Sequence, residues 1–75
     1  MMFMMSFKQF VDYVDRTYHE HSFDLRYGQT VMNVLYKTWP EKYNEITNTD
    51  YDCFYDDGTV AMLLDKLNRE WPSGH

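Results

Sequence analysis

The chain has 75 residues, seven Lys or Arg against twelve Asp or Glu, and a formal net charge of −5. Its length allows one domain with a thin core, one that buries about 60–65% of the surface its unfolded form exposes. A single cysteine, Cys53, excludes an internal disulfide framework, and the acidic balance argues against direct nucleic-acid binding.

A lone thiol without a recognisable signal peptide fits a reducing, cytoplasmic setting. Met1-Met2-Phe3-Met4-Met5 reads as an apolar tail (residues 1–5), too short for a membrane span, and no membrane partner is expected. Met1, Met2, Met4 and Met5 can each serve as the start. Residues 6–72 are read as one helical domain and 73–75 as a C-terminal tail.

The first helix is expected from about Phe7 to about Glu20. Ser6 and Gln9 have the spacing of a capping box, and Met5 and Phe10 that of a hydrophobic staple. Phe7, Phe10, Val11, Val14 and Tyr18 then line one face. His21-Ser22-Phe23-Asp24 breaks the period, so His19 and His21 belong to a solvated helix end rather than a metal site. A second helix is expected from Leu25 or Arg26 to about Lys37. Tyr27, Val31, Val34, Leu35 and Thr38 form its apolar face, and Met32 and Tyr36 widen it, which suits the central helix of a bundle. Gly28 near its start costs about 1 kcal/mol of helix propensity and suggests a close backbone approach.

Thr38-Trp39-Pro40-Glu41 reads as another capping box, opening a short third helix to Ile46 that buries Trp39, Tyr43 and Ile46. Thr47-Asn48-Thr49-Asp50 is turn chemistry. The fourth helix starts after Asp57, whose carboxylate is placed to cap it. Val60, Leu63, Leu64, Leu67 and Trp71 form its core stripe, and Leu64→Ala is expected to cost about 2–5 kcal/mol. Asp65/Arg69 and Lys66/Glu70 are i,i+4 pairs on its wet face. No run alternates at period 2, so the fold class is all-α: a compact bundle of three main helices plus one short helix.

The acidic charge is concentrated. Residues 43 to 65 hold six acidic side chains and no Lys or Arg, and the heart of that stretch is Asp50-Tyr51-Asp52-Cys53-Phe54-Tyr55-Asp56-Asp57-Gly58. Such a patch attracts cationic surfaces and repels nucleic acid. An EF-hand reading fails, because Phe54 stands at a ligand position and Tyr55 where the loop needs Gly. The bland account is that Asp50 and Asp52 make turns while Asp56 or Asp57 caps the fourth helix. Cys53 lacks a base and has acidic neighbours, which disfavour a reactive thiolate. No phosphate loop or catalytic constellation is present, so neither an enzyme nor a cofactor is expected. The second and third helices superficially suggest a helix-turn-helix, but only Lys42 stands against Glu41 and Glu45.

Arg26-Tyr27-Gly28-Gln29, Asn33-Val34-Leu35, Pro40 and Asp52-Cys53-Phe54-Tyr55-Asp56-Asp57 span residues 26–57. This pattern resembles small proteins of unassigned activity encoded by tailed phages, including those of cyanobacteria. The resemblance implies a protein made during infection that binds a host or phage protein in the host cytoplasm. The same strings suggest that Tyr27-Gly28 packs against Phe54-Tyr55.

The expected role is therefore a non-catalytic protein-binding module for a partner with a basic surface. Asp50, Asp52, Tyr55, Asp56, Tyr36 and Trp39 are the candidate contact residues. A nucleic-acid mimic and a virion structural or assembly component are the alternatives. Seven Tyr, five Phe, two Trp and six Met exceed what a thin core absorbs, which points to a homodimer as well.

Overall fold

Ser6 opens the first helix as its spacing predicts. The Ser6 hydroxyl accepts the Gln9 N–H at 3.1 Å, and the Gln9 side chain accepts the Ser6 N–H at 2.8 Å. The computed structural model describes residues 5–21 and 23–72. It contains α1 (Phe7–His21), α2 (Tyr27–Thr38), α3 (Pro40–Ile46) and α4 (Val60–Glu70), with a 3-10 turn at Asp57–Thr59 leading into α4. No strand occurs among the described residues. The all-α bundle of three longer helices and one short one is the observed fold. Most of the expected terminal tails, residues 1–4 and 73–75, lie outside the described residues.

The apolar stripes meet in one core. Phe10 and Val14 come from α1, Val31, Met32, Val34 and Leu35 from α2, and Ile46 from α3. Cys53 joins from the loop, and Val60, Leu63, Leu67 and Trp71 come from α4 and its end. As its wide apolar face requires, α2 is central: its backbone lies beside α1, α3 and the 3-10 turn. Several positions of the expected apolar faces are only partly buried, Trp39 and Tyr43 of the third-helix stripe among them. Tyr36 is exposed, because the buried arc of α2 ends at Met32 and Leu35. Leu64 is half-buried at the rim, whereas Leu63 and Leu67 are fully enclosed.

Trp71 ties the ends of the domain together. Its ring packs on Phe7, Phe10 and Trp39 at centroid separations of 5.8, 5.0 and 5.2 Å. Its indole N–H donates to the Met5 carbonyl at 3.0 Å, so the last turn of α4 is tied to the residue before the α1 cap. Aromatic pairs of this kind add about 0.5–1.5 kcal/mol beyond their burial.

The α2–α3 corner differs from expectation. Thr38 ends α2 and its hydroxyl donates back to the Val34 carbonyl at 2.9 Å, so it does not cap α3. Trp39 serves both helices: its N–H donates to the Leu35 carbonyl at 2.7 Å, and it precedes Pro40 at the start of α3. Thr38 continues α2, and its hydroxyl donates to the carbonyl one turn back rather than accepting a following N–H.

Lys42 is the buried charge. It occupies the inner stripe of α3 with Trp39, Tyr43 and Ile46, and its ammonium donates to Glu70 at 2.7 Å and to Glu45 at 3.1 Å. Burial alone would lower its pKa, but the hydrogen bonds to Glu70 and Glu45 outweigh that and raise it. Glu70 also accepts from Lys66 at 2.8 Å. The hydrogen bonds from Lys42 and Lys66 pull its carboxyl down to about 2. The Lys66/Glu70 pair of the sequence is thus one half of a bridge between α3 and α4.

Candidate functional site

The acidic and aromatic segment folds into the loop between α3 and the 3-10 turn, and its carboxylates do different work. Asp52 closes the first half. Its two oxygens accept the N–H groups of Asn48 at 2.9 Å and Phe54 at 3.0 Å. Asn48 has φ 67°, a left-handed conformation that Asn tolerates better than most residues, and the Asp52 contact holds it there. Asp56 accepts the Gly58 N–H at 2.9 Å and caps the 3-10 turn.

Asp57 does not cap α4, as the spacing had suggested. Its carboxylate instead accepts the Gly28 N–H at 2.9 Å, at the N-terminus of α2. The physical reason lies in α2 itself. Its N-cap is Arg26, whose side chain has no acceptor to offer the free N–H groups of the first turn. Gln29 accepts the Arg26 N–H at 3.0 Å, and Asp57 supplies the acceptor missing for Gly28. Asp50 is exposed and makes no side-chain hydrogen bond among the described residues. Of the four aspartates it is the one with no tether.

The loop is clamped against α2. The Cys53 thiol donates to the Gly28 carbonyl at 3.4 Å, and the Arg26 guanidinium donates to the Tyr55 carbonyl at 3.4 Å. A Cβ on Gly28 would collide with the Cys53 carbonyl oxygen, so the close approach suggested for Gly28 is made by backbone. The two strings do meet, but through Gly28 with Cys53 and Arg26 with Tyr55 rather than by stacked rings. The Tyr27 ring pairs with Tyr18 at 5.2 Å, and its hydroxyl donates to Asp15 at 2.6 Å. On the α4 side, the Lys66 ammonium lies 4.9 Å from the centre of the Tyr51 ring. Cys53 is fully enclosed, and burial, reinforced by Asp52, pushes its thiol up to about 12. It is a packed residue of the core.

The aromatic candidates separate. Tyr55 is 80% exposed and its ring stands edge-on to Phe54 at 4.8 Å and 70°. Beside them lies a groove of about 220 Å³ whose walls include Met32, Tyr43, Asp52, Phe54 and Tyr55. Tyr36, 59% exposed, packs edge-on against Tyr43 at 5.1 Å and extends this aromatic face along α2. Trp39 belongs elsewhere: it is half-buried against Trp71, with the Lys42 ammonium 4.9 Å from its ring centre.

The structure therefore gathers Tyr55, Asp52 and, through Tyr43, Tyr36. Asp50 and Asp56 are exposed on the same loop, and Trp39 packs within the Trp71 cluster. Tyr43, Phe54 and Met32 were not among the candidates of the sequence. Met32 and Tyr43 read as core residues by period, and only the fold shows that each has one side on a groove. Lys42 had a signal, a cation at the i+3 position of the Trp39, Tyr43, Ile46 stripe.

Among the described residues no group of three or more His, Cys, Asp or Glu is arranged to hold a metal ion. No helix there is long and apolar enough to cross a membrane. Comparison with protein-family models, with curated proteins and with solved structures finds no match to this chain.

Proposed function

We propose that this protein is a non-catalytic protein-binding module that presents the loop from Asp50 to Asp57 to a partner with a basic surface. The observation that carries this reading is Tyr55. A large ring that is 80% exposed is held on a loop fastened to α2 through Arg26, Gly28 and Asp57. A fastened loop loses little entropy on binding, and exposed tyrosines supply contact area at low ordering cost. Asp50 and Asp56 give the surface its sign. The likeness to small tailed-phage proteins adds that the partner is a host or phage protein in the infected cell.

A photo-crosslinking residue placed at Tyr55, with Asn68 on the exposed face of α4 as control, tests the reading in the producing cell. The expected result is a discrete protein adduct from position 55, weakened by added salt and absent from position 68. Equal adducts from both sites, or none from position 55, overturn it. Suppression of the adduct by DNA or RNA added before irradiation would instead favour the nucleic-acid mimic. Self-association is proposed from the wholly exposed Phe23 together with Tyr36 and Tyr55. A clean monomer in sedimentation at high micromolar concentration would rule it out.

A further inference from the structure

We infer that the groove beside the loop receives an arginine side chain from the partner, its guanidinium lying against Tyr43, Phe54 and Tyr55 and facing Asp52. The inference rests on the protein-binding reading and names what that surface recognises. Phe54 and Tyr55 meet edge to face at 4.8 Å, giving the groove two ring walls at a steep angle, and Tyr43 adds a third from α3. Met32, almost completely buried, lines it as well, so an alkyl stem entering the groove leaves water.

Charge sets the sign of the occupant. Asp52 lines the groove, and no lining residue is basic. Two cations reach this loop, and both are engaged away from the groove rings: Arg26 donates to the Tyr55 carbonyl and Lys66 lies over Tyr51. The chain places its own cations over other rings: Arg16 over Tyr13 at 5.8 Å, Lys42 over Trp39 at 4.9 Å and Lys66 over Tyr51 at 4.9 Å. Among the described residues none serves the rings of the groove. Rings with a neighbouring carboxylate attract a cation, and the planar guanidinium can stack on a ring while donating to a carboxylate at its edge. An ammonium is more strongly hydrated and has no flat face, so arginine fits better than lysine.

The test titrates N-acetyl-arginine amide into the intact chain while amide, aromatic and methyl NMR signals are followed. N-acetyl-citrulline amide and N-acetyl-lysine amide serve as the neutral isostere and the alternative cation. Saturable shifts are expected at Met32, Tyr43, Phe54 and Tyr55, smaller ones with lysine, and none with citrulline. Tyr55→Ala should weaken the arginine response about tenfold while the Trp71 indole signal stays in place, reporting an intact fold. No saturable response, an equal response to lysine or citrulline, or indifference to Tyr55→Ala overturns the inference. If the arginine probe fails while the crosslinked partner is still captured at position 55, the binding module stands and its occupant is different. Binding of the probe without any captured partner leaves the groove chemistry in place and removes the protein-binding reading.

Discussion

The carboxylate of Asp57 accepts the backbone N–H of Gly28, 29 residues earlier in the chain, at 2.9 Å and so caps the first turn of α2. Helix capping is ordinarily local, with the acceptor two or three residues before the donor. Here the helix starts at Arg26, which lacks an acceptor, and the acidic loop supplies one. The loop that carries the candidate contact surface is thereby part of the scaffold.

Gly28→Ala separates this tertiary contact from local propensity. Alanine in the first turn would gain about 1 kcal/mol as a helix former. Its Cβ would meet the Cys53 carbonyl and stand 2.8 Å from the Asp57 carboxylate, and the backbone cannot yield as a flexible side chain would. The expected net result in urea unfolding is a loss of about 1–3 kcal/mol. A neutral or stabilised variant would show that the loop relaxes freely.

Asp50→Asn and Asp52→Asn should part company. Asp50 is untethered, so its substitution should leave the melting curve unchanged and slow association with a cationic partner, an effect that added salt reproduces. Asp52 holds two backbone N–H groups, and an amide retains one carbonyl acceptor for them. Asp52→Asn should therefore destabilise the loop by about 1–3 kcal/mol as well as weaken binding. Kinetic binding measurements beside thermal unfolding distinguish the two.

Acid should act through Glu70. Its carboxyl is depressed to about 2 by hydrogen bonds from Lys42 and Lys66, below the unfolded value near 4.5. A depressed acid contributes stability that is present above the unfolded pKa and lost as pH falls through the folded one. Stability should fall between about pH 4.5 and pH 2 in the wild type, and Glu70→Gln should flatten that part of the profile. Denaturant midpoints across this range check it. A parallel loss in the variant would place the acid sensitivity in other carboxylates.

Leu67→Ala should cost about 2–5 kcal/mol, because its side chain is fully enclosed. Leu64→Ala should cost clearly less, since a half-buried side chain leaves a dent that water fills rather than a cavity. Equilibrium unfolding of the two variants under identical conditions compares them, and equal losses would mean that Leu64 seals the core more tightly than its exposure indicates.

Periodicity and local chemistry alone determined the helical class, the four elements and most of the core. The Ser6–Gln9 cap and the Asp65/Arg69 and Lys66/Glu70 pairs were also legible, because each joins residues within one turn. The turn at Asp52 and the cap at Asp56 are local and legible in the same way, whereas only the tertiary structure decided what Asp57 does. Asp57 could have capped the helix beside it or one far away, and the vacancy at Arg26 drew it to the latter. The same holds for Lys42, whose partner Glu70 lies on another helix, and for the groove, whose rings come from α3 and the loop with Met32 of α2 beneath them. A sequence specifies hydrogen-bonding capacity and the face on which a side chain stands. Which donor meets which acceptor across long separations is set by how the helices pack, since a buried or clamped polar group binds whatever partner that packing brings within reach.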